Sequence, residues 1–160
     1  MPTVTLREIT RDTVREVCRL KLKPGQENFV APNALSLAEA LFSPEAWYRA
    51  ICADGHIVGF VMLWDDTQSP TPPAQPVVFL WRLMVAADHQ GQGIGQAAMA
   101  QVLAHVRSRP GITCFRSSFV GGEGGPERFY RQLGFVPTGA VDEDGEFIIE
   151  YRLRPATGGG

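Results

Sequence analysis

Gln90-Gly91-Gln92-Gly93-Ile94-Gly95 lies between an aromatic and aliphatic run, Val77–Val85, and a segment whose apolar residues recur at helical spacing. Glycines at alternate positions leave backbone N–H groups uncovered by side chains at the point where a helix starts. Such a loop is an anion cradle, because unsatisfied N–H groups and the positive end of the helix dipole both face outward. A diphosphate suits it.

Working outward, Val77–Val85 is almost continuously apolar, which predicts a strand buried in mid-sheet. After the loop, Ala98, Met99, Val102, Leu103 and Val106 share one helical face while Gln96, Gln101 and Arg107 lie elsewhere, so that face belongs to the core. Pro110-Gly111 stops the helix and Cys114–Val120 returns as a strand. This β-α-β crossover implies a parallel pair. Upstream, Val4–Ile9 alternates as a first strand. A helix capped at Thr10 or Asp12 would bury Val14, Val17, Cys18 and Leu22. Ser36-Leu37-Ala38-Glu39 has capping-box spacing and opens a second short helix. Trp47–Ala53 and His56–Trp64 flank Asp54-Gly55 as a β-hairpin. The proline-rich stretch Asp65–Pro76 is a loop. Downstream, Pro126 suits the first position of a helix over Pro126–Leu133, which Gly134 ends, and Phe135–Ala140 and Phe147–Leu153 pair as strands. The order is β-α-α-β-β-β-α-β-α-β-β, an α/β fold with one central mixed sheet and helices on both faces.

Three diphosphate loops compete. A P-loop needs Lys and then Ser or Thr after its last glycine, whereas Gln96 and Ala97 follow Gly95. Gly93-Ile94-Gly95-Gln96-Ala97-Ala98 satisfies G-x-G-x-x-A, but a polar stretch, Ala86–His89, separates it from the strand. The next strand, Cys114–Val120, also holds no carboxylate for a ribose. The third pattern, Gln/Arg-x-x-Gly-x-Gly/Ala, is met by Gln90, Gly93 and Gly95. It resembles the acetyl-CoA loop of the GNAT superfamily of N-acetyltransferases. Phe129-Tyr130-Arg131-Gln132-Leu133-Gly134-Phe135 is similar to that family's Tyr-x-x-x-Gly-Phe helix end.

The resemblance implies a single GNAT-like domain over residues 1–154, with Pro155–Gly160 a flexible tail, and acetyl-CoA as cosubstrate. It implies a split between the central strand and Cys114–Val120 that receives the pantetheine arm. Leu83, Met84, Val85, Gln90, Gly91, Gln92, Gly93, Ile94, Gly95, Gln96 and Phe129 become the cofactor contacts. Backbone N–H groups near Met84 and Val85 can polarise the thioester carbonyl. Tyr130 is the implied general acid, a phenol protonated at neutral pH that can donate to the departing thiolate as an amine attacks the thioester directly. The base stays open: Phe79-Leu80-Trp81-Arg82 holds no carboxylate, leaving Glu123, Glu127, Asp65 or a water chain.

Gln26–Val30, Leu37–Ala40, the Gly122–Tyr130 run and the late Asp-Gly-Glu are similar to the spermine/spermidine (diamine) acetyltransferase-like branch. That implies a polyamine acceptor, with Glu27, Glu39, Asp65, Asp66 and Trp81 as candidate contacts. Protein α-amines, aminoglycosides and other small amines stay open, as do a CoA-binding regulatory module without turnover and a pure interaction domain. The resemblance is compatible with a homodimer.

Composition narrows the field. With 160 residues, 44% hydrophobic and 20% charged, the chain suits one soluble domain with a real core. Fifteen basic against seventeen acidic residues, with no basic run, argue against nucleic acid. No apolar run reaches the length of a membrane span and Met1–Thr10 lacks a signal-peptide core, so no membrane role is expected. Cys18, Cys52 and Cys114 read as buried hydrophobes in a reducing cytoplasm. His56, His89 and His105 show no ligand pairing, so no metal is expected, and His89, just before the anion loop, reads as a solvated surface residue in preference to a phosphate contact.

Overall fold

The asparate–glycine turn sets the first hairpin: Asp54 (φ 50°) and Gly55 (φ 85°) both occupy the left-handed region that a two-residue loop needs. The Asp54 carboxylate also accepts from Thr3 N–H at 2.9 Å, which pins the first strand beside the hairpin. The computed structural model describes residues 1–153, so the tail read at Pro155–Gly160 lies outside the described residues. The elements are β1 (Val4–Arg7), α1 (Val14–Arg19), α2 (Asn33–Ala40), β2 (Ala46–Ala53), β3 (His56–Asp65), β4 (Val78–Val85), α3 (Ile94–Arg107), β5 (Cys114–Phe119), α4 (Glu127–Leu133), β6 (Val136–Val141) and β7 (Phe147–Arg152). They follow the order read from sequence and form one seven-stranded sheet, β1-β2-β3-β4-β5-β7-β6. The β4–β5 pair is parallel and the other pairs are antiparallel.

Both faces of the sheet are covered. On β3, Val58, Val61 and Leu63 meet Ala98, Met99, Val102 and Val106 of α3, while Phe60 and Met62 meet Val17, Cys52 and Met84 on the α1/α2 side. Each such side chain contributes on the order of 1.5–3 kcal/mol by leaving water. Double-sided burial explains why β3 reads as a continuous apolar run rather than an alternating one. Among the described residues, no helix is long and apolar enough to cross a membrane.

The N-terminal helices differ from expectation. The strand expected over Val4–Ile9 ends at Arg7, and α1 ends at Arg19, before Leu22. Within α1 only Val17 is fully buried, and Cys18, one position round the helix, is exposed. Cys52 and Cys114 are buried, and burial raises both thiols above their ordinary pKa. The capping box at Ser36 does not form, because α2 starts at Asn33, straight after Pro32. Ser36 is buried inside the helix and donates its hydroxyl to the Pro32 carbonyl at 3.4 Å. Asn33, also buried, donates to the Val17 carbonyl at 2.9 Å and ties α2 to α1. Pro126 precedes α4 instead of opening it.

One irregularity positions the site. Pairing of β4 with β5 covers Val78↔Phe115, Phe79↔Arg116 and Leu80↔Ser117, and then stops. At the same point the β3–β4 register slips between Met62 and Leu63, leaving Trp81 as an extra residue on β4. A bulge bends its strand and sharpens the local twist. The strand expected to be buried throughout is therefore enclosed at one end, and its Trp81–Val85 half stands apart from β5 at the centre of the sheet.

Candidate active site

The fork between β4 and β5 opens into a cavity of about 970 Å³. At its floor the Ser117 hydroxyl donates to the Leu80 carbonyl at 3.1 Å, on the last paired rung. One wall is the free edge of β4. Ala86 N–H donates to the Val58 carbonyl, so by antiparallel alternation Met84 and Arg82 also direct their main-chain groups at β3. Leu83 and Val85 direct theirs into the fork. Of the N–H groups near Met84 and Val85 expected to polarise a carbonyl, that of Met84 is thus corrected, since it belongs to the sheet, while that of Val85 faces the fork.

The glycine loop forms the upper rim. Gly91 and Gly93 both have φ 78°, a conformation that costs side-chain-bearing residues dearly, and Gly93 precedes α3 without any side-chain cap. Gly95 is glycine for a different reason: a Cβ there would lie 3.2 Å from the Phe129 ring. Among the described residues no protein acceptor takes the backbone N–H groups of residues 91–96; the first helical bond runs from Ala97 N–H to the Gly93 carbonyl at 3.1 Å. This arrangement can hold an anion. Ile94 is core by its side chain and Gln96 lines the rim.

Two loop glutamines differ from expectation. Gln92 is exposed and outside the cavity lining. Gln90 lines it, but its amide is already engaged. Gln90 Nε2 donates to the Val85 carbonyl at 2.9 Å and to Gln26 Oε1 at 2.8 Å, while Gln26 Nε2 donates to Gln90 Oε1 at 3.1 Å. It braces the end of β4 against the 3-10 turn Gln26–Asn28. His89, expected to be a solvated surface residue, is half-buried and lines the cavity.

Phe129 and Tyr130 of α4 close the floor. The Tyr130 ring packs against Phe129, Phe119 and Phe135, and only 8% of the residue is exposed. Burial pushes its phenol up from 10.0 to about 12; the Ser117 hydroxyl pulls against this and the Glu146 carboxylate adds to it. Such a group is a proton donor at neutral pH.

The predicted acidic mouth does not assemble. Asp65 is fully buried beside Val78, at the closed end of β4, where it accepts from Arg109 Nε at 2.8 Å and from Thr67. Asp66 accepts from Trp64 Nε1 and Val77 N–H, both at 3.0 Å. These carboxylates organise a loop, so Asp65 is neither a substrate contact nor a base. Glu39 pairs with Arg82 at 3.7 Å and lies off the cavity, as does Glu123, while Glu127 pairs with Arg131 at 2.9 Å. Of the residues expected at the acceptor, Glu27 and Trp81 line the cavity. Sequence reasoning missed Asp142, Asp144 and Glu146, which line it from the β6–β7 turn with carboxylate oxygens within 4.8 Å of one another. The sequence marked that turn as a loop whose Asp144-Gly145-Glu146 carries part of the resemblance, but gave its carboxylates no role, because the strand order β5-β7-β6 alone carries them to the fork.

Comparison with known proteins agrees with this geometry. The profile of the acetyltransferase (GNAT) family matches residues 14–135. Aminoglycoside acetyltransferase AAC(6')-Ib in complex with coenzyme A superposes with TM-score 0.76 at 16% identity, over 94% of this chain and 95% of that one. The same enzyme with coenzyme A and kanamycin gives 0.75 at 16%, again over 94% and 95%. The GNAT domain of S. lividans PAT gives 0.71 at 20%, over 94% and 89%. A search of curated proteins gives no significant sequence match.

Proposed function

The chain belongs to the GNAT family and is an acetyl-CoA-dependent N-acetyltransferase, and from that premise we propose that its acceptor is a primary amine carried on a polycation. The observation that carries this reading is the fork itself. It joins an anion-cradling loop, a free strand edge and a buried phenol in one cavity that carboxylates also line.

In this reading the N–H groups of residues 91–96 take the diphosphate, and the Leu83 main chain with the Val85 N–H offers partners to the pantetheine amides, the Val85 carbonyl being taken by Gln90. Gly93 and Gly95 keep the approach clear of side chains. The thioester comes to rest at the floor, near Ser117 and Tyr130. A neutral amine attacks the carbonyl, the tetrahedral intermediate collapses, and the departing thiolate takes the Tyr130 proton. A pKa near 12 keeps that proton in place until it is needed.

Glu27, Asp142, Asp144 and Glu146 make the cavity wall negative, which favours a cationic acceptor over a neutral one. Polyamine chemistry is supported by the sequence resemblance. Aminoglycoside chemistry is supported by the likeness to an enzyme that binds kanamycin. Thiol release from acetyl-CoA, measured with spermine, kanamycin, an N-terminal peptide and a neutral amino compound, tests the reading. Turnover should be fastest with the first two and weaken with added salt, because partly exposed charges are screened. Fastest turnover with the neutral compound would overturn the polycation assignment.

A further inference from the structure

Building on the cationic-acceptor reading, we propose that Glu146 is the carboxylate that receives the acceptor's ammonium group and takes its proton.

The two faces of β5 separate the parties. Phe115 and Phe119 pack into the core beneath α3 and α4, so Ser117 between them shares that face with Tyr130. Ser118 therefore points to the opposite face, where α1 and α2 pack. Its hydroxyl donates to Glu146 Oε1 at 3.2 Å. Phenol and carboxylate thus flank the fork from opposite faces of the sheet, one residue apart along β5, and both line the same cavity.

Glu146 is held rigidly but not used up. Its N–H donates to Asp142 Oδ1 at 2.9 Å and its carbonyl accepts from Asp142 N–H at 3.0 Å, which fixes the backbone of the turn. Ser118 holds one carboxylate oxygen. The other has no hydrogen-bond partner among the described residues and is free for a ligand. Other carboxylates are engaged or placed elsewhere: Asp65 and Glu127 are bound to arginines, Glu39 is paired with Arg82, Glu123 lies off the cavity, Asp142 Oδ1 accepts from the Asp144 and Glu146 N–H groups, and Asp144 is exposed at the turn. Glu27 lines the cavity from the 3-10 turn whose Gln26 is tied to Gln90, whereas the Glu146 charge acts on Tyr130.

The proton balance closes. Glu146 removes one proton from R–NH₃⁺, and the freed nitrogen lone pair forms the C–N bond at the thioester carbonyl. Collapse breaks the C–S bond, and the thiolate takes the Tyr130 proton. The new amide nitrogen returns its surplus proton to the tyrosinate, and Glu146 releases its own to solvent. The net products are the acetamide, the free thiol and one proton.

Glu146→Gln keeps the shape and removes the basic function. Thermal stabilisation by acetyl-CoA should match wild type, which reports an intact fold and cofactor site. The kcat with spermine should fall by about 10²- to 10⁴-fold. With methoxyamine, which arrives already neutral at assay pH, the loss should be under about tenfold by the same argument. Equal losses on both amines, an unchanged kcat, or a raised KM for spermine at constant kcat would each overturn the assignment. Failure of the underlying acceptor reading appears elsewhere, in the wild-type protein, as turnover of methoxyamine without turnover of spermine; Glu146 as ammonium acceptor falls with it.

Discussion

The two ends of β4 share a strand and little else. At the closed end, Val78–Leu80 is hydrogen-bonded to β3 on one side and β5 on the other, and the nearby carboxylate, Asp65, is sealed against Arg109. Past Trp81, one edge of the strand is unpaired apart from the Val85 carbonyl, which Gln90 takes, and carboxylates around it line an open cavity. Acidic residues of similar appearance in the sequence therefore do opposite work. A buried carboxylate must be neutralised by a partner, which makes it structural. A carboxylate at a cavity wall keeps an oxygen for whatever enters.

That contrast can be broken, most severely at the floor of the open end. Tyr130→Phe should lower kcat by about 10²- to 10⁴-fold, or about 2.7 to 5.4 kcal/mol of barrier, with acetyl-CoA affinity nearly intact. Because the phenol lies near 12, it stays protonated through the ordinary alkaline range, so any wild-type loss of rate well below that pH comes from another group. Wild-type turnover in the variant would reduce Tyr130 to a packing residue.

At the closed end the expectation reverses, with stability lost and kinetics spared. Arg109→Ala strands the fully buried Asp65 without its counter-charge and should cost about 3–5 kcal/mol in urea unfolding. The KM values for both substrates should stay near wild type in the folded fraction. A raised KM at unchanged stability would show that the closed end is part of the site after all.

A smaller effect sharpens the boundary at the loop. Acetyl-CoA at a hundredfold excess over its Kd should stabilise the wild-type protein by about 2.7 kcal/mol. Gly93→Val and Gly95→Val should each remove that stabilisation, the first through its positive φ and the second by forcing a side chain into Phe129. A full thermal shift in both variants would remove the loop from the cofactor site.

What the sequence made legible was local. Asp54-Gly55 declares its turn, α3 declares its buried face, and the alternate glycines declare an anion loop, because each signal spans only a few residues. The fork was not legible from periodicity, since its position depends on a register slip at Trp81 that no glycine or proline marks. Asp65 was misread because its partner, Arg109, lies 44 positions away. Ser36 offered a plausible cap, but the side-chain bond from Asn33 to Val17 and the rigid Pro32 start the helix earlier. The β6–β7 carboxylates were missed for a related reason: their distance from Tyr130 is set by strand order, which no short pattern encodes.

The bare edge of β4 has an evolutionary consequence. On the proposed reading the cofactor contacts are written in peptide N–H and C=O groups, which carry no side-chain identity, so Leu83 and Val85 answer to the core they pack against and not to the cofactor. Heritable constraint then concentrates at the few places where backbone shape itself is at stake, the left-handed Gly93 and the crowded Gly95. On the same reading the acceptor wall, made of side chains, is where a lineage can change diet, so that one half of the cleft is a fixed socket and the other an editable adaptor.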